Sequence, residues 1–90
     1  MNSLNKVLLI GRVSHVSHDA AEQTIVTITT DAERSKTHRV YADGKLGEAV
    51  RNVEIGRLIY VEGSLETILI LANVNNFIKA RRIDVLTKGA

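Results

Sequence analysis

The chain has no cysteine, no proline and no tryptophan, and only three aromatic side chains, Tyr41, Tyr60 and Phe77. Without cysteine, neither a disulfide framework nor a thiolate metal site can form, and the composition suits a reducing compartment. Without proline, an internal repeat or a low-complexity segment, nothing divides the chain into modules. Long apolar runs are missing too. The first, Val7–Ile10, has four residues, too few for a signal-peptide core or a membrane span, so a cytoplasmic protein is expected. No pattern supplies an activated nucleophile, an acid–base pair or a phosphate loop. The expectation is therefore a binding protein without enzymatic activity or cofactor.

What is present suits one small folded unit. Ninety residues, 44% of them apolar and 24% charged, close one core but not two, which makes residues 1–90 a single expected domain. Twelve Lys and Arg against ten Asp and Glu leave a formal charge of +2, a modest tilt toward polyanions. The location of the cations has to carry the argument.

Strand-like patterning dominates the chain. A first strand is predicted over Lys6–Val13 and a second over Gln23–Thr30, with Thr24, Val26 and Ile28 on one face and Ile25, Thr27 and Thr29 on the other. A third, Thr37–Ala42, places Thr37, Arg39 and Tyr41 together, opposite His38, Val40 and Ala42. From Gly44 the period becomes helical, with Leu46, Ala49, Val50 and Val53 on the apolar side. A fourth strand begins at Leu58 and runs to Leu71, with a bulge or bend predicted at Gly63. The Asn-rich stretch Ala72–Asn76 reads as a turn and Phe77–Leu86 as the last strand. Five strands with one helix between the third and fourth is the element order of the OB-fold, an all-β Greek-key barrel whose usual ligands are oligonucleotides and oligosaccharides.

Three stretches carry a family resemblance. Leu4-Asn5-Lys6-Val7-Leu8-Leu9-Ile10-Gly11, then His38-Arg39-Val40 with Gly44-Lys45-Leu46-Gly47-Glu48, then Gly56-Arg57-Leu58-Ile59-Tyr60-Val61-Glu62-Gly63-Ser64-Leu65 resemble, in order and spacing, the bacterial single-stranded DNA-binding proteins. The resemblance implies single-stranded DNA as partner, with RNA as the alternative, and a place in replication, recombination or repair. A shared core pattern argues fold rather than function, so the ligand face needs its own argument.

Single strands are held by cations that track phosphates and by rings on which bases stack. The candidate cations are Lys6 and Arg12 on the first strand, Arg34 and Lys36 before the third, Arg39 on it, and Lys79, Arg81 and Arg82 on the last. The rings that the resembling family carries on the third strand fall here at Thr37 and Asp43, and its ring near the end of the second strand falls within Asp31–Arg34, where no aromatic stands. Tyr41 shares the face of Thr37 and Arg39. It reads either as a relocated stacking platform or as a rim tyrosine packed on a neighbouring strand. Phe77 reads as a groove-edge ring or a hydrophobic plug, and Tyr60 as structural. The groove is expected on the second, third and fifth strands.

His38 matches the family's interface histidine, with a buried, hydrogen-bonded histidine as the alternative. The run Ile68-Leu69-Ile70-Leu71-Ala72-Asn73-Val74 is too apolar for alternation to hide. A homodimer or homotetramer is expected through this hairpin, with Ile68 and Ile70, or through Leu8 on the first strand. His15, His18, Asp19 and Glu22 are the one cluster resembling a metal site, but a strand end followed by a loop gives them no fixed geometry and a solvated loop is favoured. The sequence ends at Thr87-Lys88-Gly89-Ala90, without the acidic tail by which the resembling family recruits replication proteins. A compact relative is expected, of the primosomal replication-restart branch or of a plasmid or phage. The competing expectation is a barrel that has lost nucleic acid and kept only protein partners.

Overall fold

The computed structural model describes residues 5–18, 23–31 and 36–86, with backbone alone at Asp31 and Ile70. The elements are β1 (Val7–His18), β2 (Thr24–Asp31), β3 (Lys36–Ala42), α1 (Gly44–Val50), β4 (Leu58–Ile70) and β5 (Asn73–Val85). They close a five-stranded OB-fold barrel in the order β1-β2-β3-β5-β4, with β4 pairing back to β1. The helix lies between β3 and β4 as the change of period predicted.

β1 closes the barrel by changing partner. Its first half, Val7–Arg12, pairs with β4, and its second half, Arg12–His18, pairs with β2. Between Val13 and His15 the register shifts, with Ser14 as the extra residue. Such a bulge bends a strand and reverses the side on which the following residues point. The first strand therefore does not end at Val13 as expected but continues to His18, and His15 and His18 belong to it rather than to a loop. Turn-compatible residues in this stretch mark a bend within a strand.

The core follows from period 2. Val13, Val26, Ile28, Val40, Ala42, Val50, Ile59, Val61 and Ile78 are buried, with Val7, Leu9, Val16, Leu46, Val53, Ala80 and Ile83 packed around them. No ring enters this cluster. Thr24, the buried polar residue on the inner face of β2, donates from Oγ1 to the Gly47 carbonyl at 3.1 Å, which ties the helix to the barrel. Gly47 lies so close that a Cβ there would stand 2.6 Å from the Ala42 carbonyl oxygen. Ala49, assigned to the apolar side by spacing, is exposed, because a helix of seven residues buries only Gly47 and Val50.

A second irregularity falls between Glu62 and Gly63, at the predicted glycine, but the extra residue is Arg81 on the partner strand. The Asn-rich stretch is not a turn. Asn73, Asn75 and Asn76 lie in β5, opposite Ile70, Ile68 and Thr67, and the chain reverses at Leu71-Ala72, both with positive φ (49° and 66°). Two-residue hairpins require that geometry and usually supply it with Asn-Gly, so residue chemistry pointed a few positions too far along the chain.

Leucine and alanine pay a steric cost in the left-handed region that Asn and Gly largely avoid. Leu71→Asn combined with Ala72→Gly is expected to raise unfolding free energy by about 1–2 kcal/mol in urea titration. An unchanged midpoint and slope would contradict this account of the turn.

Candidate nucleic-acid interface

The register sets out the outer face of the barrel row by row, since directly paired residues point the same way. His15, Thr27 and Arg39 are paired across β1, β2 and β3; Ser17, Ile25, Tyr41, Lys79 and Ser64 continue from β1 through β5 to β4; Arg12, Thr29 and Thr37 form the row on the other side. β3 and β5 are joined by only two pairs, Val40 with Ile78 and Tyr41 with Lys79. Below that seam the strands part, and the face becomes concave.

Two clefts open there. One is lined by Thr37, His38, Arg39, Leu65, Asn76, Phe77 and Ile78, the other by Arg39, Tyr41, Ile68, Asn75, Asn76 and Phe77. Arg39, Asn76 and Phe77 border both. The Tyr41 and Phe77 rings pack together, with centroids 4.5 Å apart and planes inclined at 48°. Each ring is half-buried, so together they form one continuous aromatic surface rather than two separate platforms. For Tyr41, the two readings merge: it packs on a neighbouring strand, and the neighbour is the other candidate ring.

The predicted cations divide by their surroundings. Arg39, Lys36 and Lys79 are exposed and carry no ion pair among the described residues. Arg12 is exposed and donates from Nη1 to the Gly56 carbonyl at 3.1 Å. Lys6 is ion-paired with Glu62 at 3.4 Å, Arg82 with Glu62 and Asp84, and Arg81 donates to the Asn5 carbonyl at 3.4 Å. The least neutralised charge is therefore on β3 and β5. Glu66 is the acid on this face, opposite Phe77. Arg34 lies outside the described residues, as do Asp19 and Glu22. Among the described residues, no group of three or more His, Asp or Glu is placed to hold a metal.

Of the expected interface residues, His38 is half-buried and shares a 3.2 Å hydrogen bond between its Nε2 and Thr30 Oγ1. Leu8 is exposed on the outside of the β1–β4 sheet with Ile10, at 57% and 56%. Ile68 lines the cleft with Arg39, Tyr41 and Phe77. The side chain of Ile70 is outside what is described. Tyr60, read as structural, is half-buried and pairs with Ile10 and Asp84, outside the core.

Sequence reasoning missed His15 and Asn75 on the candidate face. Asn75 was within reach, because it stands two residues from Phe77 in a strand that the turn reading cut short. His15 was not: uninterrupted alternation from Arg12 would turn it inward, and only the bulge at Ser14 turns it out.

No protein-family profile and no curated protein sequence matches the chain. Solved structures do match in shape. A mitochondrial single-stranded DNA-binding protein of Saccharomyces cerevisiae, Rim1, superposes with a TM-score of 0.78 at 15% identity over 98% of this chain and 100% of its own. A small single-stranded DNA-binding protein from Mycoplasma pneumoniae gives 0.73 at 23%, covering 98% and 99%. The single-stranded DNA-binding protein from Thermus aquaticus gives 0.76 at 21%, over 97% of this chain and 42% of that one. The chain has the OB-fold of the single-stranded DNA-binding proteins.

Contact between Tyr41 and Phe77 makes a measurable claim. A double-mutant cycle with Tyr41→Leu and Phe77→Leu is expected to show a coupling of about 0.5–1.5 kcal/mol in urea unfolding. Additive effects would mean that the rings do not support each other.

Proposed function

We propose that the face made by β2, β3 and β5 binds single-stranded DNA, without base-specific readout, as part of DNA replication, recombination or repair. The observation that carries this reading is the packed Tyr41–Phe77 pair with Arg39 and Lys79 beside it on the same face. The fold shared with single-stranded DNA-binding proteins supports it. Bases stack on the ring surface while Arg39, Lys79, Lys36 and Arg12 follow the phosphates, and every base offers a π-face, so sequence matters little. One fused platform engages fewer bases than rings set apart along a strand. Charge therefore carries a large share of the affinity. RNA meets the same rings and cations, and a comparison of DNA with RNA oligonucleotides measures the preference.

The same reading includes self-assembly. Leu8 and Ile10 expose adjacent apolar surface on the outside of the β1–β4 sheet, which suits association of two barrels through that face.

Fluorescence anisotropy of labelled oligo-dT tests the binding. Contact with three or four phosphates gives a slope of log affinity against log salt of about −2 to −3. Tyr41→Ala or Phe77→Ala is expected to weaken binding by about 1–3 kcal/mol, roughly 5- to 150-fold. Arg39→Ala is expected to weaken it and flatten the salt slope by about 0.7. Absence of binding at micromolar protein in low salt would overturn the proposal.

A further inference from the structure

The bulge at Ser14 bends β1 and also re-aims a titratable side chain. Val13 is buried, so uninterrupted alternation would turn residue 15 inward as well. The extra residue turns His15 outward instead, into the row of Thr27 and Arg39 on the candidate face. Ser14 donates from Oγ to the Thr27 carbonyl at 3.1 Å, which fastens the bulge to the residue that His15 pairs with. The outward position of His15 is therefore held from two strands.

The surface beside it dips. Thr27 and Thr29, outward on β2, are short and half-buried, whereas Arg12 and His15 on β1 and Arg39 on β3 are exposed. Neighbouring strands lie about 4.8 Å apart, so His15 and Arg39 stand about 10 Å from each other across Thr27. The charges around His15 have one sign: Arg12 is its outward neighbour along β1, Arg39 lies beyond Thr27, and the β2 residues between are uncharged. On the other side of β1, the connection into β4 bonds to Val13 through the Gly56 N–H and the Arg57 carbonyl at 2.7 and 2.9 Å. The charged side chains of that connection, Glu54 and Arg57, line a separate cleft with Glu48. Among the described residues, no carboxylate stands within ion-pair distance of His15. The other two imidazoles are placed differently. His18 pairs with buried Thr24 on the inner side, and His38, on the same side of β3 as Val40, shares its Nε2 with Thr30 Oγ1.

We propose that His15 is a further contact residue for single-stranded nucleic acid, binding a phosphate when its imidazole is protonated and releasing it when neutral, so that affinity rises as pH falls. The proposal rests on the binding face described above and adds proton control to it. Histidine is the side chain whose ordinary change of charge falls between about pH 5 and 8. A strand crossing β2 from Arg39 passes His15 on its way to Arg12, and a protonated imidazole supplies the cation between them. Proton and phosphate then bind cooperatively, each raising the affinity for the other.

Fluorescence anisotropy tests this with labelled oligo-dT of about 12 nucleotides, within the range of site sizes for one OB-fold. Neither thymine nor the phosphodiester changes charge over the pH range used. One added phosphate contact steepens the slope of log affinity against log salt by about 0.7 and is worth roughly 8-fold at about 50 mM salt. The unmodified chain is expected to gain affinity toward that limit, with the steeper slope, between about pH 8 and pH 5.5. His15→Gln is expected to lose the gain and the steepening. His15→Lys is expected to show at about pH 8 the affinity and slope that the unmodified chain reaches at about pH 5.5, and His38→Gln to retain the pH response. His15 is exposed, so these changes at position 15 leave the barrel core untouched. A pH response that survives in His15→Gln, or binding at both pH values without a response in the unmodified chain, overturns the role of His15 alone. Absence of binding at both pH values overturns the binding face and this role together.

Discussion

Everything in this barrel depends on β1 sharing its hydrogen bonds between two partners. Its first half holds β4 and its second half holds β2, so a single strand closes the sheet on itself. A straight strand cannot do this, because a closed sheet of five strands must bend sharply at its corners. The bend is supplied at the bulge around Ser14, next to buried Val13, where the strand turns over the core. That same bulge decides which of the later β1 side chains face outward. Closure and the outward face of β1 therefore have one origin.

Opposite β1, the seam between β3 and β5 has only two residue pairs. It is enough to bring Tyr41 and Lys79 side by side and to set Phe77 against the tyrosine. It is short enough to leave the strands open just below. A longer seam would fill the clefts bordered by Arg39, Asn76 and Phe77, and a shorter one would separate the rings. Because no ring is spent on the core, which is wholly aliphatic, two of the three aromatics of the chain are available to this face.

Much of this was legible beforehand, for identifiable reasons. β2 and β3 were read with their faces correct because Thr24, Val26 and Ile28, then Val40 and Ala42, alternate without interruption, and burial of one face makes period 2 visible. The helix was visible through its change of period. The errors cluster where local chemistry and long-range pairing disagree. Asparagines suggested a turn, yet Asn73, Asn75 and Asn76 serve as strand residues opposite Ile70, Ile68 and Thr67, and Leu-Ala makes the reversal. His15 and His18 suggested a loop because no residue type announces a bulge.

By itself, the sequence determined the class of fold, the order of the elements, which face of β2 and β3 is buried, and the presence of Arg39 and Tyr41 on one exposed face. These are consequences of alternation along a single strand, a property of neighbouring residues. Only the tertiary structure decided that Tyr41 meets Phe77, 36 residues away in the chain, and that Lys6 and Arg82 are neutralised by Glu62 while Arg39 and Lys79 are not. It also decided that Ile68, Asn75 and Phe77 on one face of the apolar hairpin border a cleft, while Leu69 and Val74 on the other face are exposed. Each depends on the register between strands distant in sequence. Register is set by barrel closure and by the bulges that permit it, and neither can be read from one strand at a time.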